Sequence, residues 1–264
     1  MPELIERLSA AAIELLVQLI RTPSFSREEG PTADLLFDFL AAHGARPQRA
    51  GHNVWAVAPH FDAARPTLLL NSHHDTVRPG TSWTYDPFGA VLEGDQLIGL
   101  GSNDAGAAAV SLLATFLYFG QYPPAFNLVC AITAEEEISG AGGIRGVLPL
   151  LPPIDLGIVG EPTRMDMAVA EKGLVVLDCV AHGRTGHAAR DEGENALYKA
   201  VADIQWFQHH QFARVSELLG PVKATVTQVQ AGTQHNVVPD ECRFVVDVRT
   251  NELYTNEEIV GLVR

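Results

Sequence analysis

Cysteine is scarce in this chain of 264 residues: only Cys130, Cys179 and Cys242 occur, far apart and without a Cys-x-x-Cys pair. We therefore expect neither a disulfide framework nor a thiolate zinc cluster. Basic residues are also few, since 18 Lys and Arg stand against 32 Asp and Glu, which gives a net charge of −14. This acidity argues against a nucleic acid or an anionic membrane as the partner.

Long apolar segments are missing too. No stretch approaches the roughly 18 residues that a membrane span needs, and the first residues lack the basic region and apolar core of a signal peptide. We therefore expect a cytoplasmic protein. What the chain does contain is 47% hydrophobic residues, enough for a sizeable core, and ten histidines, which raise the question of a metal.

Predicted strands and helices alternate over the first part of the chain, which indicates a layered α/β architecture. The strand predicted at Thr67–Ser72 contains three consecutive leucines, a pattern typical of a strand that is covered on both faces. Ser26 and Glu29 have the spacing of a capping box before a helix at Thr32–Ala42. The other elements predicted here are helices at 4–20 and 104–119, strands at 53–58, 126–133 and 156–159, and a hairpin at 91–98.

The character of the sequence changes after Gly173. In Cys242–Arg249 apolar and polar residues alternate, which is typical of a sheet with one buried face. Strands at 174–181 and 223–230 and helices at 195–211 and from 256 onward complete a smaller α+β pattern. We therefore predict two domains, at residues 1–172 and 173–264.

Four clusters of acidic residues or histidine follow the predicted strands, where an open α/β sheet usually binds its ligands. His73 and Asp75 lie two residues apart in extended chain, so the carboxylate can orient the imidazole while the other ring nitrogen binds a metal. Asp104 lies among glycines at a predicted helix start. The remaining clusters are Glu135-Glu136-Glu137 and Glu161, each at a strand end.

Each cluster taken alone has an ordinary structural alternative, because a loop histidine, a helix cap or a solvated turn needs no metal. Taken together, the clusters place a free carboxylate, Glu136, beside a set of metal ligands. Such a carboxylate can act as a general base, taking a proton from metal-activated water and returning it to a leaving amine. The four ligands, suited to zinc, manganese or cobalt, are His73, Asp104, Glu137 and Glu161.

The order His-x-Asp, Gly-x-Gly-x-x-Asp, Glu-Glu and Gly-Glu-Pro-Thr resembles the M20 family of di-zinc aminoacylases and peptidases across essentially the whole chain. The resemblance implies a layered α/β zinc-peptidase-like catalytic domain with an inserted, ferredoxin-like α+β lid. It also implies two Zn²⁺ ions per site, with Co²⁺ or Mn²⁺ as alternatives. By this resemblance His73 and Glu161 hold one metal, Asp104 bridges, Glu137 holds the second metal, Asp75 orients His73, and Glu136 is the base.

Three residues of the lid are implicated by the same resemblance. His187 corresponds to a histidine that reaches the partner subunit's site and stabilises an oxyanion. Asn236 and Arg249 match positions that contact the substrate, with Arg249 gripping an α-carboxylate. An ordinary turn residue and an ordinary polar-face strand residue remain the alternatives for these two. The resemblance further implies a homodimer formed through the lid.

Within the family, the segments Ser72–Val77 and Leu100–Gly106 look most like those of acetylornithine deacetylases. This implies hydrolysis of the acyl amide of a small N-acyl amino acid, acetylornithine or acetylcitrulline, in arginine biosynthesis. The first alternative is a succinyl-amino-acid desuccinylase or a dipeptidase with the same metal centre. The second, from another class, is a non-catalytic metal- or metabolite-binding protein.

One departure from the family pattern keeps the second alternative open. In the family, the second metal takes a further histidine from a segment beyond the lid, and this sequence has no equivalent segment. From the sequence we therefore expect a C-terminally truncated form in which both domains are incomplete.

Overall fold

The computed structural model describes residues 2–264, which divide into two compact units. The first unit ends at Met165, and the second spans Asp166–Arg264. Each unit has its own sheet and its own apolar core. The mixed α/β class expected from the sequence is confirmed.

A five-stranded sheet with three helices on one face forms most of the first unit. Among the described residues, no helix of either unit combines the length and hydropathy required to cross a membrane. The elements of the first unit are α1 (Pro2–Arg21), α2 (Gly30–Ala42), β1 (Gln48–Ala50), β2 (Asn53–Val57), β3 (Thr67–His73), β4 (Val91–Glu93), β5 (Gln96–Ile98), α3 (Ala108–Gln121), β6 (Asn127–Thr133), α4 (Ile144–Val147) and β7 (Leu156–Val159).

The order of strands in this sheet is β1-β2-β6-β3-β7. Strand β3 pairs in parallel with both β6 and β7, whereas β2 pairs antiparallel with β1 and β6. Because β3, β6 and β7 run in the same direction, their carboxyl ends at His73, Thr133 and Val159 meet at one edge of the sheet. That edge is where open α/β sheets place their ligands.

Strand β6 is buried on both faces, and its side chains alternate between two cores. On the face of the sheet opposite α1, α2 and α3, Val129 and Ala131 pack with Val147 of α4. Burying each large apolar side chain contributes roughly 1.5–3 kcal/mol, so this strand is a rigid base for the loop that follows it. The residues of β6 that face α1, α2 and α3 are Leu128, Cys130 and Ile132.

Two helix starts differ from the sequence-based predictions. Glu29 lies at the N-cap of α2, but its side chain makes no capping bond, and the Ser26 hydroxyl donates to Asp75 instead. The capping box predicted from these two residues is therefore wrong. Helix α3 begins at Ala108, because Asp104 lies in a wide turn with a non-helical φ of −111° and ψ of 100°. Both departures turn polar side chains toward the carboxyl edge of the sheet.

The second unit is a three-stranded antiparallel sheet in the order β10-β12-β8, with α5 packed on one face. Alternate residues of the central strand, Cys242, Phe244, Val246 and Val248, are buried, so the alternation predicted for this segment is confirmed. The elements are β8 (Gly173–His182), β9 (Gly186–His187), α5 (Ala196–His209), β10 (Lys223–Ala231), β11 (Val237–Val238), β12 (Glu241–Thr250) and α6 (Asn256–Val263).

Candidate metal centre

Side chains from four segments converge at the edge where β3, β6 and β7 end. His73 is the last residue of β3 and is 1% exposed, and its Nε2 lies 3.2 Å from Asp104 Oδ1. The same nitrogen lies 3.8 Å from Glu136 Oε2 and 3.8 Å from Glu161 Oε1. Donor atoms of His73, Asp104 and Glu137 all lie within 4.8 Å of one another. An imidazole and carboxylates at this spacing form a donor set that suits a divalent cation.

The turn Ser102–Ala107 brings Asp104 to this edge although it follows no strand of the sheet. Gly101, at the start of the turn, has a φ of +73°, and a Cβ built there would lie 2.7 Å from the Thr76 methyl carbon. Only glycine therefore fits at this position without displacing its neighbours. The peptide bond between Asp104 and Ala105 is cis.

Asp75 is completely buried and connects the histidine to the acidic loop. Its Oδ1 lies 3.3 Å from His73 Nδ1, and its carboxylate accepts hydrogen bonds from the backbone N–H groups of Glu136 (3.0 Å) and Glu137 (3.2 Å) and from the Ser26 hydroxyl (2.7 Å). The backbone carbonyl of Asp75 lies 3.1 Å from the same Nδ1. His73 is thus oriented with Nδ1 toward Asp75 and Nε2 toward the other carboxylates.

The electrostatics of this pair follow from burial and hydrogen bonding. Burial raises the pKa of Asp75, but hydrogen bonds from His73, Ser26 and the Glu136 backbone outweigh it and lower the pKa below its usual value. Burial lowers the pKa of His73, but the hydrogen bond and charge of Asp75, together with the charges of Glu161 and Glu136, raise it to about 9. Without a cation, the imidazole therefore keeps a proton on the nitrogen that faces the carboxylates.

Burial and mutual repulsion raise the pKa values of two of the carboxylates. Burial raises the pKa of Glu161 to about 7; His73 opposes this shift, while Glu136, Asp104 and Glu137 add to it. Burial, followed by the charge of Asp104, also raises the pKa of Glu137. Like charges held this close favour a proton or a metal ion between them. The donor set therefore fits a divalent cation chemically as well as geometrically.

Sequence reasoning missed Glu29, which lies behind this site and is completely buried. Its carboxylate accepts hydrogen bonds from the backbone N–H groups of Arg27 (2.7 Å) and Glu135 (3.2 Å), and it lies 2.6 Å from His52 Nδ1. The only signal in the sequence was an acidic residue between two helices, which also suits a helix cap. Because His52 and Glu135 lie 23 and 106 residues further along the chain, no local pattern could have identified this role.

His74 belongs to the same buried layer, and burial lowers its pKa to about 4. The neutral ring has one N–H, and since the carbonyl of His52 can only accept, that hydrogen lies on Nε2, 3.0 Å away. Nδ1 lies 2.8 Å from Thr32 Oγ1, whose one hydrogen can be donated either to this nitrogen or to the Glu29 carbonyl at 3.0 Å. His74 is therefore a buried residue with a polar partner at each ring nitrogen, although it lies next to His73.

In the second unit, His187 and Asn236 lie side by side in a short ribbon. Strand β9 pairs with β11 so that His187 is opposite Val237, and the Ala188 N–H donates to the Asn236 carbonyl at 3.0 Å. His187 is exposed, and its Nδ1 accepts from the Ala189 N–H at 3.2 Å. The neutral imidazole therefore presents Nε2–H as a hydrogen-bond donor.

Arg249 lies at the other end of the second unit's sheet. The ribbon of β9 and β11 continues the β8–β12 pair beyond Glu241, where His182 is the cross-strand partner. Arg249 is eight residues further along β12, a separation of roughly 26 Å at about 3.3 Å per residue. Its guanidinium donates to both carboxylate oxygens of Asp247, at 2.8 and 3.1 Å. The structure thus places His187 and Asn236 at neighbouring positions of one ribbon and Arg249 at the opposite end of the sheet.

The fold and the site define a two-unit α/β protein with a candidate divalent-metal centre at the carboxyl ends of parallel strands. A family model described as the peptidase dimerisation domain of the M20 group matches residues 169–264. This range covers nearly all of the second unit.

Curated relatives match over both units. Succinyl-diaminopimelate desuccinylase 2 of Ruegeria sp. (strain TM1040) is 28% identical over 95% of this chain and 68% of the relative. Succinyl-diaminopimelate desuccinylase of Dinoroseobacter shibae is 30% identical over 96% of this chain and 71% of the relative. The chain thus spans about 70% of the length of these relatives. We conclude that it belongs to the M20 peptidase family.

A solved structure supports the fold. An M20 family metallo-carboxypeptidase of Sulfolobus solfataricus superposes with a TM-score of 0.67 at 17% identity, covering 96% of this chain and 74% of the other. The family expected from the sequence motifs is therefore confirmed. The branch of the family is not confirmed. These curated relatives are named desuccinylases, and their names favour the desuccinylase alternative over acetylornithine deacetylase.

Proposed function

We propose that this chain is a metal-dependent hydrolase that cleaves the acyl amide of a small N-succinyl amino acid. The observation that carries the proposal is the convergence of donor atoms from His73, Asp104 and Glu137, with Glu136 and Glu161 beside them, at the carboxyl edge of the sheet. The choice of a succinyl group over an acetyl group is supported by the names of the curated relatives.

The proposed ligands divide between two divalent cations as the family resemblance implies. His73 and Glu161 would hold one cation and Glu137 the second, with Asp104 available to both. When bound, the cations supply Lewis-acid polarisation of the amide carbonyl and lower the pKa of water. Zinc is the metal we propose, and cobalt and manganese suit the same imidazole and carboxylate donors.

Glu136 is the proposed general base. Its side chain is exposed, whereas its backbone N–H donates a hydrogen bond to the buried Asp75. The carboxylate is therefore accessible, while the backbone that carries it is held in place. Glu136 takes a proton from water as the oxygen adds to the amide carbon. It then gives a proton to the departing nitrogen as the C–N bond breaks, which yields a carboxylate and an amine.

We also propose a homodimer through the second unit, which matches the dimerisation-domain model. In this proposal His187 stabilises the oxyanion, and Asn236 and Arg249 bind the substrate. Because Arg249 lies roughly 26 Å along β12 from Glu241, the end of the strand that leads to the ribbon, one amino-acid-sized substrate cannot reach both ends of the same sheet. If all three residues contact the substrate, the ribbon and Arg249 of one site must come from different copies.

Two further expectations stay predictions. The boundary between a catalytic domain at 1–172 and a lid at 173–264 lies a few residues beyond the division of the two units at Met165. The cytoplasmic location rests on the sequence alone.

A substrate panel tests the proposed reaction. The purified chain, loaded in turn with Zn²⁺, Co²⁺ or Mn²⁺, is assayed for amine release from N-succinyl-diaminopimelate, N-acetylornithine and N-acetylcitrulline. We expect kcat/KM for the succinyl substrate to exceed the others at least tenfold. Faster turnover of either acetyl substrate would establish the acetyl-amino-acid reading, which the sequence motifs favour.

A non-catalytic role remains the competing class, and metal content separates the two readings. Metal bound at two ions per chain without hydrolysis of any panel member would contradict the enzyme proposal and support a metal- or metabolite-binding protein. Hydrolysis that a chelator abolishes and Zn²⁺ restores would support the enzyme.

A further inference from the structure

The loop that carries Glu136 and Glu137 is held mainly through its backbone. We call residues Ala134–Glu137, which follow β6, the base loop. Each of its four consecutive backbone N–H groups donates to a side-chain oxygen of a residue elsewhere in the chain. These bonds run from Ala134 to Asn53 (3.0 Å), from Glu135 to Glu29 (3.2 Å), and from Glu136 and Glu137 to Asp75 (3.0 and 3.2 Å).

All three acceptor residues are buried. Glu29 and Asp75 have no exposed surface, and Asn53 is 3% exposed. A base loop that moved away would take one hydrogen bond from the buried Glu29 carboxylate and two from the buried Asp75 carboxylate, and hydrogen bonds to charged groups are the costlier ones to lose. The loop is therefore confined to one position by groups that do not themselves face the site.

Among the three acceptors, Glu29 contacts three separate parts of the chain. One carboxylate oxygen accepts from both Arg27 and Glu135, and the other lies 2.6 Å from His52 Nδ1. Glu135 has a φ of +54°, a left-handed conformation that a non-glycine residue adopts only where its surroundings require it. The bond to Glu29 is one of the contacts that holds this turn, directly before Glu136.

We propose that Glu29 is a positioning residue for the base loop, setting where Glu136 and Glu137 lie relative to His73. The inference rests on the proposed function insofar as Glu136 is the base and Glu137 a ligand. A simple helix-capping role does not explain Glu29, because its side chain makes no capping bond to α2. Its carboxylate is instead used by Arg27, by His52 and by the base loop.

Two substitutions of nearly the same size test this role. Glu29→Gln keeps an oxygen that can accept from Glu135, whereas Glu29→Met fills the space without a strong acceptor. Asn127→Ala is the matched control, because Asn127 is equally buried but lies at the opposite end of β6, where it bonds to Asp62 and Arg65. Steady-state kinetics, Zn²⁺ affinity and hydrogen–deuterium exchange of peptides covering 134–137 are measured well below each variant's Tm.

For Glu29→Met we expect exchange in the base loop to accelerate at least tenfold. We expect kcat to fall at least tenfold with KM changed less than threefold, and Zn²⁺ affinity to fall about tenfold because Glu137 moves with the loop. Glu29→Gln should stay within about threefold of the parent in all three measurements. Asn127→Ala should lower the Tm without changing the exchange of the base loop or kcat.

Parent-like exchange and kcat in Glu29→Met would overturn the proposal, as would an equal loss of kcat in Asn127→Ala. Should Glu29→Met fail to fold, Glu29→Asp replaces it, since it withdraws the carboxylate by one C–C bond and carries the same expectations. The exchange measurement needs no substrate. A parent protein without hydrolytic activity would therefore contradict the proposed function while leaving this inference to be decided by exchange and metal affinity.

Discussion

The two units hold their candidate site residues in opposite ways. In the first unit His73 and Asp75 are buried, and hydrogen bonds from the base loop and from Ser26 converge on Asp75. In the second unit His187 and Arg249 are exposed, and each is secured by neighbours within two residues of the chain. The first site is thus organised by the fold of one unit. In the proposed dimer, the second unit's side chains form a site only together with residues of another copy.

The sharpest test of the first unit is removal of the proposed base. Glu136→Gln keeps the shape and the backbone bond to Asp75 but cannot accept a proton, so we expect kcat to fall about 10³-fold, within the usual range for a general base. KM and metal content should change little. The measurement is steady-state turnover of the best substrate from the panel.

Glu135→Gln is the matched control for this prediction. The Glu135 carboxylate accepts from the Gly142 N–H, and a glutamine oxygen can still accept there. We expect activity within a few-fold of the parent. Comparable losses in the two variants would show that the acidic loop, and not Glu136 in particular, is what catalysis requires.

The second prediction concerns Asp75, the buried carboxylate beside His73. Both carboxylate oxygens of Asp75 accept a hydrogen bond from a backbone N–H group. Asp75→Asn replaces one of these oxygens with an NH₂ group, which cannot accept, so one of the two bonds is lost. We expect Zn²⁺ affinity to fall 10–100-fold, the usual effect of losing a residue that orients a ligand. Isothermal titration measures it, with Asp155→Asn, which bonds to Thr67 at the amino end of β3, as control. Unchanged affinity would refute the orienting role.

The third prediction addresses the second unit. His187→Ala and Arg249→Ala should each be nearly inactive. When the two variants are mixed and their dimers exchange subunits, the mixture should recover about a quarter of parent activity. Half of the dimers are then mixed, and one of their two sites receives an intact ribbon and an intact arginine. A mixture of His187→Ala with Asn236→Ala should recover nothing, since both changes lie in the same ribbon. Recovery in both mixtures, or in neither, would contradict the two-copy site.

The smallest effect we expect is a pH dependence of stability in chelator-treated protein. The pKa of His73 is about 9 in the fold against an ordinary 6.5, so its stabilisation is complete below about pH 6.5 and is lost as the pH rises through 9. The difference amounts to about 3 kcal/mol, or several degrees of Tm. The raised pKa of Glu161, about 7, acts in the same direction at lower pH.

Thermal melts between pH 5 and 9.5, with chelator and with Zn²⁺, provide the measurement. With chelator the Tm should decline toward high pH, whereas with Zn²⁺ it should rise, because the metal replaces the proton on His73 and its binding strengthens as that proton leaves. Parallel profiles in the two conditions would mean that the cation binds away from this histidine.

Much of the site could be predicted because its residues follow strand ends. The apolar runs before His73, Glu136 and Glu161 indicated strands, and parallel strands bring their carboxyl ends to one edge. Asp104 was found by its glycine-rich surroundings, although the helix predicted to start there begins later. Ser26 and Glu29 were misassigned to a capping box, since local spacing cannot show that their partners are Asp75 and a loop 106 residues further along.

The sequence alone thus determined the family, the order of the longer elements and the donor atoms available to a metal, because these depend on residue type and on periodicity along a short stretch of chain. The tertiary structure decided which of these groups are buried, which nitrogen of His73 faces the carboxylates, and which residues behind the site hold the base loop. Those properties depend on the register of β3 against β6 and on desolvation within the packed unit, and neither is encoded at any single position.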